Sequence, residues 1–125
     1  QMEPLLIDRI IIVLFFKGAF TVNGPKQSVI AEVGEDVTLP CWITPGKPEN
    51  MEVRWFKSVW ENLVYQYQEM DPHGDELGSA YQGRARLFPE RISAGNVSLH
   101  LSSVRTSDEG KYKCFVKSSR EVNAI

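Results

Sequence analysis

Apolar residues along this chain recur mostly at every second position, in short runs broken by turn residues. Val37, Leu39 and Cys41 share one face of the stretch from Val37 to Ile43, and Pro40, which lacks an N–H, marks a break in its ladder. Val97, Leu99 and Leu101 alternate with Ser98 and His100. Tyr112 and Cys114 share a face, with Lys111, Lys113, Phe115 and Lys117 on the other. Such a period of two is the pattern of a half-buried strand. Turn-forming clusters at Asn23-Gly24-Pro25, Thr44 to Asn50, Glu69 to Ser79 and Thr106 to Gly110 separate these runs. The expectation is about nine short strands. Phe20 to Val22 and Ser28 to Val33 make one broken first strand. Met51 to Ser58 carries Val53 and Trp55 inward, with Arg54 and Phe56 outward, and Leu63 to Tyr67 follows as its neighbour.

The start of the chain departs from this pattern. Arg9 precedes the run Ile10 to Phe16, and Lys17-Gly18-Ala19 follows it. A short apolar run with a charged start and small residues after it reads as a secretory signal. It is shorter than the roughly 20 apolar residues needed to span a bilayer. Residues 1–19 are therefore expected to be a signal peptide and 20–125 the mature domain. The other reading is a buried strand at the chain start.

The 125 residues suffice for one domain, and 42% hydrophobic with 24% charged residues is an ordinary globular composition. A net charge of −2 without a basic block argues against a nucleic-acid partner. In an exported domain, two cysteines imply one disulfide, Cys41 to Cys114. The chain-entropy model assigns such a closure roughly 4 kcal/mol. The spacing fits neither a redox CxxC nor a zinc site.

Cys41, Trp55 and Cys114, with Tyr112 two residues before the second cysteine, form the mark of an immunoglobulin variable-type sandwich. The fold class expected is all-β: two antiparallel sheets joined by one inter-sheet disulfide, with Trp55, Leu99 and Tyr112 in the core. The stretch from Trp55 to Arg84 is long enough for the extra strands of the variable type.

From Phe20 to Ile125 the chain resembles the butyrophilin-like branch of V-set domains, which includes the myelin oligodendrocyte glycoprotein and avian B-G types. The resemblance rests on Val33-Gly34-Glu35-Asp36-Val37-Thr38-Leu39-Pro40-Cys41, Met51-Glu52-Val53-Arg54-Trp55-Phe56, Tyr81-Gln82-Gly83-Arg84 and Ser107-Asp108-Glu109-Gly110. It implies a bidentate ion pair between Arg84 and Asp108 and a corner role for Tyr112, whose hydroxyl would bond back to nearby backbone. It also implies an immune protein on the outer side of the plasma membrane, attached through a segment C-terminal to Ile125. The implied partner is a cell-surface protein, a T-cell receptor or co-receptor. Homophilic adhesion through a homodimer is the second reading. Ser58 replaces the glutamine that antigen-receptor V domains carry three residues after the tryptophan, which argues against that class.

No residue constellation supports catalysis. His73 and His100 lie far apart, and Asp71, Asp75 and Glu76 lack the spacing of a calcium loop. No enzyme activity, cofactor or metal is expected. Asn96-Val97-Ser98 is a glycosylation sequon, which makes Asn96 the candidate acceptor. The candidate protein-binding face consists of Arg54, Phe56, Tyr65, Tyr67, Lys113, Phe115 and Lys117, aromatics ringed by cations. The second reading of Phe56 beside Phe115 is a cross-strand pair that stabilises the sheet.

Overall fold

Alternating side chains need a layer on each side of one core, and the chain supplies two. The structure, a computed structural model, describes residues 4–8, 20–57, 62–71, 74–118 and 122–125. Its strands are β1 (Pro4–Asp8), β2 (Thr21–Asn23), β3 (Val29–Glu32), β4 (Val37–Leu39), β5 (Trp42–Thr44) and β6 (Glu52–Lys57), followed by β7 (Leu63–Gln68), β8 (Glu76–Leu77), β9 (Ala85–Arg86), β10 (Leu99–Leu101), β11 (Gly110–Lys117) and β12 (Val122–Ala124). One layer has the order β3-β1-β11-β6-β7-β8, with β12 also on β11. The other consists of β4-β10-β9 and β2-β5.

The described strands outnumber the sequence expectation because two expected strands split and Pro4–Asp8 adds another. Phe20 to Val22 and Ser28 to Val33 do not form one strand, since β2 pairs with β5 whereas β3 pairs with β1. The break at Pro40 separates β4, which pairs with β10, from β5. Past the break, Cys41 N–H donates to the buried Ser98 hydroxyl at 3.0 Å, so a side chain replaces a ladder bond. Ser98 is buried for that reason, although strict alternation would put it in solvent.

Pro4–Asp8 lies antiparallel to β3 and parallel to the start of β11, with Ile7 opposite Gly110 and Asp8 opposite Lys111. The run from Ile10 to Phe16 lies outside the described residues, as do Ser58 and His73.

Between the layers, Leu39, Ile43, Val53, Trp55, Val97, Leu99, Leu101, Tyr112 and Val116 form one buried cluster around Cys41 and Cys114. Two ties cross it. Cys41 and Cys114 form a disulfide across 73 residues of chain, as the cysteine count implied. The Trp55 indole N–H donates to the Val97 carbonyl at 3.0 Å. A buried indole with its one donor satisfied fixes the stagger of the layers as well as filling volume.

Candidate functional site

At one end of the sandwich, Arg84 and Asp108 meet in a two-pronged ion pair. Nη1 lies 2.9 Å from Oδ2 and Nη2 lies 3.0 Å from Oδ1. The Arg84 guanidinium also donates to the carbonyls of Ala80 and Ser102. Asp108 Oδ2 accepts the Arg105 N–H as well, at 2.8 Å. Burial alone would push the Asp108 carboxyl up, but these donors together hold it below the usual carboxylate range. The Tyr112 hydroxyl donates to the Asp108 carbonyl at 2.5 Å and lies 3.5 Å from the Tyr81 hydroxyl. This cluster is structural in geometry, because its side chains are turned inward and bonded to one another and to nearby backbone, with Arg84 Nε left as a buried donor without a partner.

The outer face of the β11-β6-β7 layer is set by register. Phe115 stands opposite Arg54, which stands opposite Gln66. Lys113 stands opposite Phe56, and Lys117 opposite Glu52. Lys111 shares their parity on β11 and is exposed. Arg54 Nε reaches Glu52 Oε2 on the same face at 2.6 Å. The face therefore carries Lys111, Lys113, Lys117 and Arg54 around a partly exposed Phe115, with Glu52 as the carboxylate inside the rows.

Three members of the expected face sit differently. Tyr65 and Tyr67 stand opposite Trp55 and Val53, so they turn to the core side and pack against the buried cluster. The cause is a bulge: Trp55 pairs with Tyr65 but Phe56 pairs with Leu63, leaving Val64 as the extra residue. A bulge puts two consecutive residues on one side, which explains why Val64 and Tyr65 both reach the core. Phe56 keeps its outward register but is only 6% exposed, so it offers little apolar surface. Gln66 takes the outward place on β7, and sequence reading missed it because bulges leave no signature in alternation.

On the inner edge of β7, Tyr65 and Tyr67 line a cleft of about 220 Å³ with Glu69, Asp75, Leu87 and Ile92. The carboxylates there are engaged. Tyr65 OH donates to Asp75 Oδ2 at 3.0 Å, while Lys47 and the Met51 N–H hold Glu69. Burial and the Asp75 carboxylate raise the Tyr65 phenol to about 12. For Glu69, burial opposes ionisation, but Lys47 and the Met51 N–H prevail and keep its carboxyl low.

On the opposite layer, Asn96 forms an antiparallel bridge with Trp42, and its Oδ1 accepts the Ser98 N–H at 3.0 Å. His100 on β10 is partly buried. Its ring meets Phe88 edge-on at 5.6 Å, and Nε2 lies 3.7 Å from Asp36 Oδ2. Among the described residues, no three histidine, cysteine or acidic side chains come together as a metal site, and no helix is long and apolar enough to cross a membrane.

Comparison with known proteins agrees with this geometry. Residues 24–124 match the immunoglobulin V-set domain family. The chain is 39% identical to myelin-oligodendrocyte glycoprotein of Macaca fascicularis over 82% of this chain and 42% of that protein. It is 40% identical to selection and upkeep of intraepithelial T-cells protein 1 of the same species, over 78% of this chain and 28% of that protein. The chain thus spans less than half the length of either relative. The crystal structure of bovine butyrophilin superposes with a TM-score of 0.70 at 28% identity, covering 86% of this chain and 52% of that one. With the layered strands, the inter-sheet disulfide and these relatives together, the chain belongs to the immunoglobulin V-set family, in its butyrophilin and myelin-oligodendrocyte-glycoprotein branch.

Proposed function

We propose that this is the recognition domain of a cell-surface immune protein, and that the outer face of β11, β6 and β7 contacts a receptor on another cell. The carrying observation is the charge arrangement of that face. The whole chain has a net charge of −2, yet Lys111, Lys113, Lys117 and Arg54 gather around Phe115 with Glu52 as the opposing group in the rows. A partly exposed aromatic inside a cationic rim is the composition of a protein-binding patch, and it selects an acidic partner surface. T-cell regulation is the leading setting. The relative named for the selection and upkeep of intraepithelial T cells supports that setting.

The test is staining of T cells by the labelled, multimerised protein, with Phe115→Ala and Lys117→Glu as variants. Staining that falls for both, and that weakens with added salt, supports the face. Undiminished staining by folded variants overturns it. Sedimentation over a wide concentration range reads the homophilic alternative. A dimer broken by Lys117→Glu replaces the receptor reading, although like charges across a two-fold axis oppose such self-contact.

A further inference from the structure

Trp42 is 42% exposed, on the layer opposite the cationic face. Its flanking residues Cys41 and Ile43 are buried, so the indole points away from the core. It stands between two asparagines in register, Asn23 on β2 and Asn96 in the stretch leading to β10. Hydrogen bonds bracket the Trp42–Asn96 pair: Ile43 N–H to Gly95 O at 2.7 Å, and Val97 N–H to Cys41 O at 2.9 Å. Bonds at the flanking positions define a non-hydrogen-bonded antiparallel pair, the kind in which facing side chains come closest. Gly95 permits this approach. It has φ +93°, and a Cβ there would stand 2.6 Å from the Ile43 carbonyl oxygen.

Asn96 is also oriented. Its Oδ1 is occupied by the Ser98 N–H at 3.0 Å, which fixes the carboxamide and leaves Nδ2, the atom a glycan is attached to, outside that bond. Asn96-Val97-Ser98 is the acceptor sequence for N-linked glycan. In that transfer, Nδ2 loses one proton and bonds to C1 of N-acetylglucosamine. The lipid diphosphate of the secretory-pathway donor leaves with the electrons of its C1–O bond.

We infer that Trp42 is the seat for the first N-acetylglucosamine of a glycan on Asn96. The inference rests on the reading of this chain as an extracellular domain. A pyranose ring has one face of C–H groups, and an indole offers a large rigid apolar surface to pack against it. A sugar attached to the nearest cross-strand neighbour lies within reach of that surface without a long linker. The glycan then lies over β2 and β5 as part of the folded domain, and the β11-β6-β7 face stays uncovered.

The experiment uses the full chain secreted from mammalian cells, with its glycan trimmed enzymatically to the single first sugar. Intact mass reads occupancy of Asn96. Melting temperatures are compared for the wild type, Asn96→Gln, Trp42→Ala, Trp42→Phe and the double variant of Asn96→Gln with Trp42→Ala. The expected result is a loss of about 4 °C on removing the sugar from the wild type. The same removal costs markedly less in Trp42→Ala, where it loses only the Asn96 Oδ1 bond to the Ser98 N–H, and most of the wild-type amount in Trp42→Phe. The N-acetyl methyl resonance should also lie upfield in the wild type, from the indole ring current, and return to its ordinary position in Trp42→Ala. An unoccupied Asn96 overturns the inference together with the extracellular reading of the sequon. An occupied Asn96 whose sugar stabilises both backgrounds equally, with an unshifted methyl, overturns the seat alone.

Discussion

Arg84 and Asp108 hold each other by two hydrogen bonds of 2.9 and 3.0 Å while only 8% and 2% exposed. Both charges are desolvated, so neither can lose its partner without being left uncompensated in a low dielectric. Asp108→Asn is expected to destabilise the domain by about 3–5 kcal/mol. Arg84→Lys should recover only part of the pair, because an ammonium cannot reproduce the planar fork that reaches both carboxylate oxygens. Urea unfolding followed by tryptophan fluorescence checks both, and a loss below about 1 kcal/mol for Asp108→Asn would mean that the pair behaves like a surface bridge.

The same pair sets an acid limit. Asp108 and Glu69 have folded-state carboxyls held below their ordinary values against the opposing effect of burial, Asp108 by Arg84 and Glu69 by Lys47. A depressed folded value means that the unfolded chain binds protons more readily. Stability from these groups is therefore fully present above the ordinary carboxylate range and is lost as pH falls through the depressed values. Melting temperature measured from neutral pH downward should decline across that window. The decline should be shallower in Asp108→Asn, which removes one of the two titrating groups.

The two ties between the layers differ in kind. The disulfide acts mainly on the unfolded chain and is worth roughly 4 kcal/mol in the entropy model. Trp55 acts on the folded one. Trp55→Phe leaves the buried Val97 carbonyl without its 3.0 Å donor, which costs about 1–3 kcal/mol before any void is counted. Reducing the disulfide in the Trp55→Phe variant should leave no cooperative transition at physiological temperature. A cooperative melt after reduction would show that strand pairing alone holds the layers in register.

The fold was legible because its markers are chemically specific. Cys41, Trp55 and Cys114 are each buried, and each makes a tie that another residue type could not make in the same way. Pro40 announced the break in its strand by lacking a donor. The candidate face was legible on β11, where Lys113, Phe115 and Lys117 keep strict alternation. It failed on β7, where Val64 enters as a bulge and turns Tyr65 and Tyr67 inward. It failed in another way at Phe56, whose outward direction followed from Trp55 but whose burial depends on what packs over the sheet. Trp42 and Asn96 are more than fifty residues apart. Only the register between their strands brings them together.

Inward-facing tyrosines and outward-facing cations make opposite predictions, which separates fold from recognition. Tyr67→Ala should lower stability through lost packing against the core, whereas Lys117→Glu should leave stability within about 0.5 kcal/mol and lower partner binding. Tyr65 gives a spectroscopic check on its own placement. Burial and its 3.0 Å bond to Asp75 raise its phenol to about 12, so it should ionise after an ordinary exposed tyrosine in an alkaline absorbance titration. Its folded value exceeds the unfolded one, so the stability it contributes is complete below the ordinary tyrosine value and is lost as pH rises through about 12. Asp75→Asn removes the carboxylate but not the burial, and should bring the late ionisation part of the way back. A Tyr65 that titrates like free tyrosine in the folded wild type would place the ring in solvent, and would return it to the candidate protein-binding face.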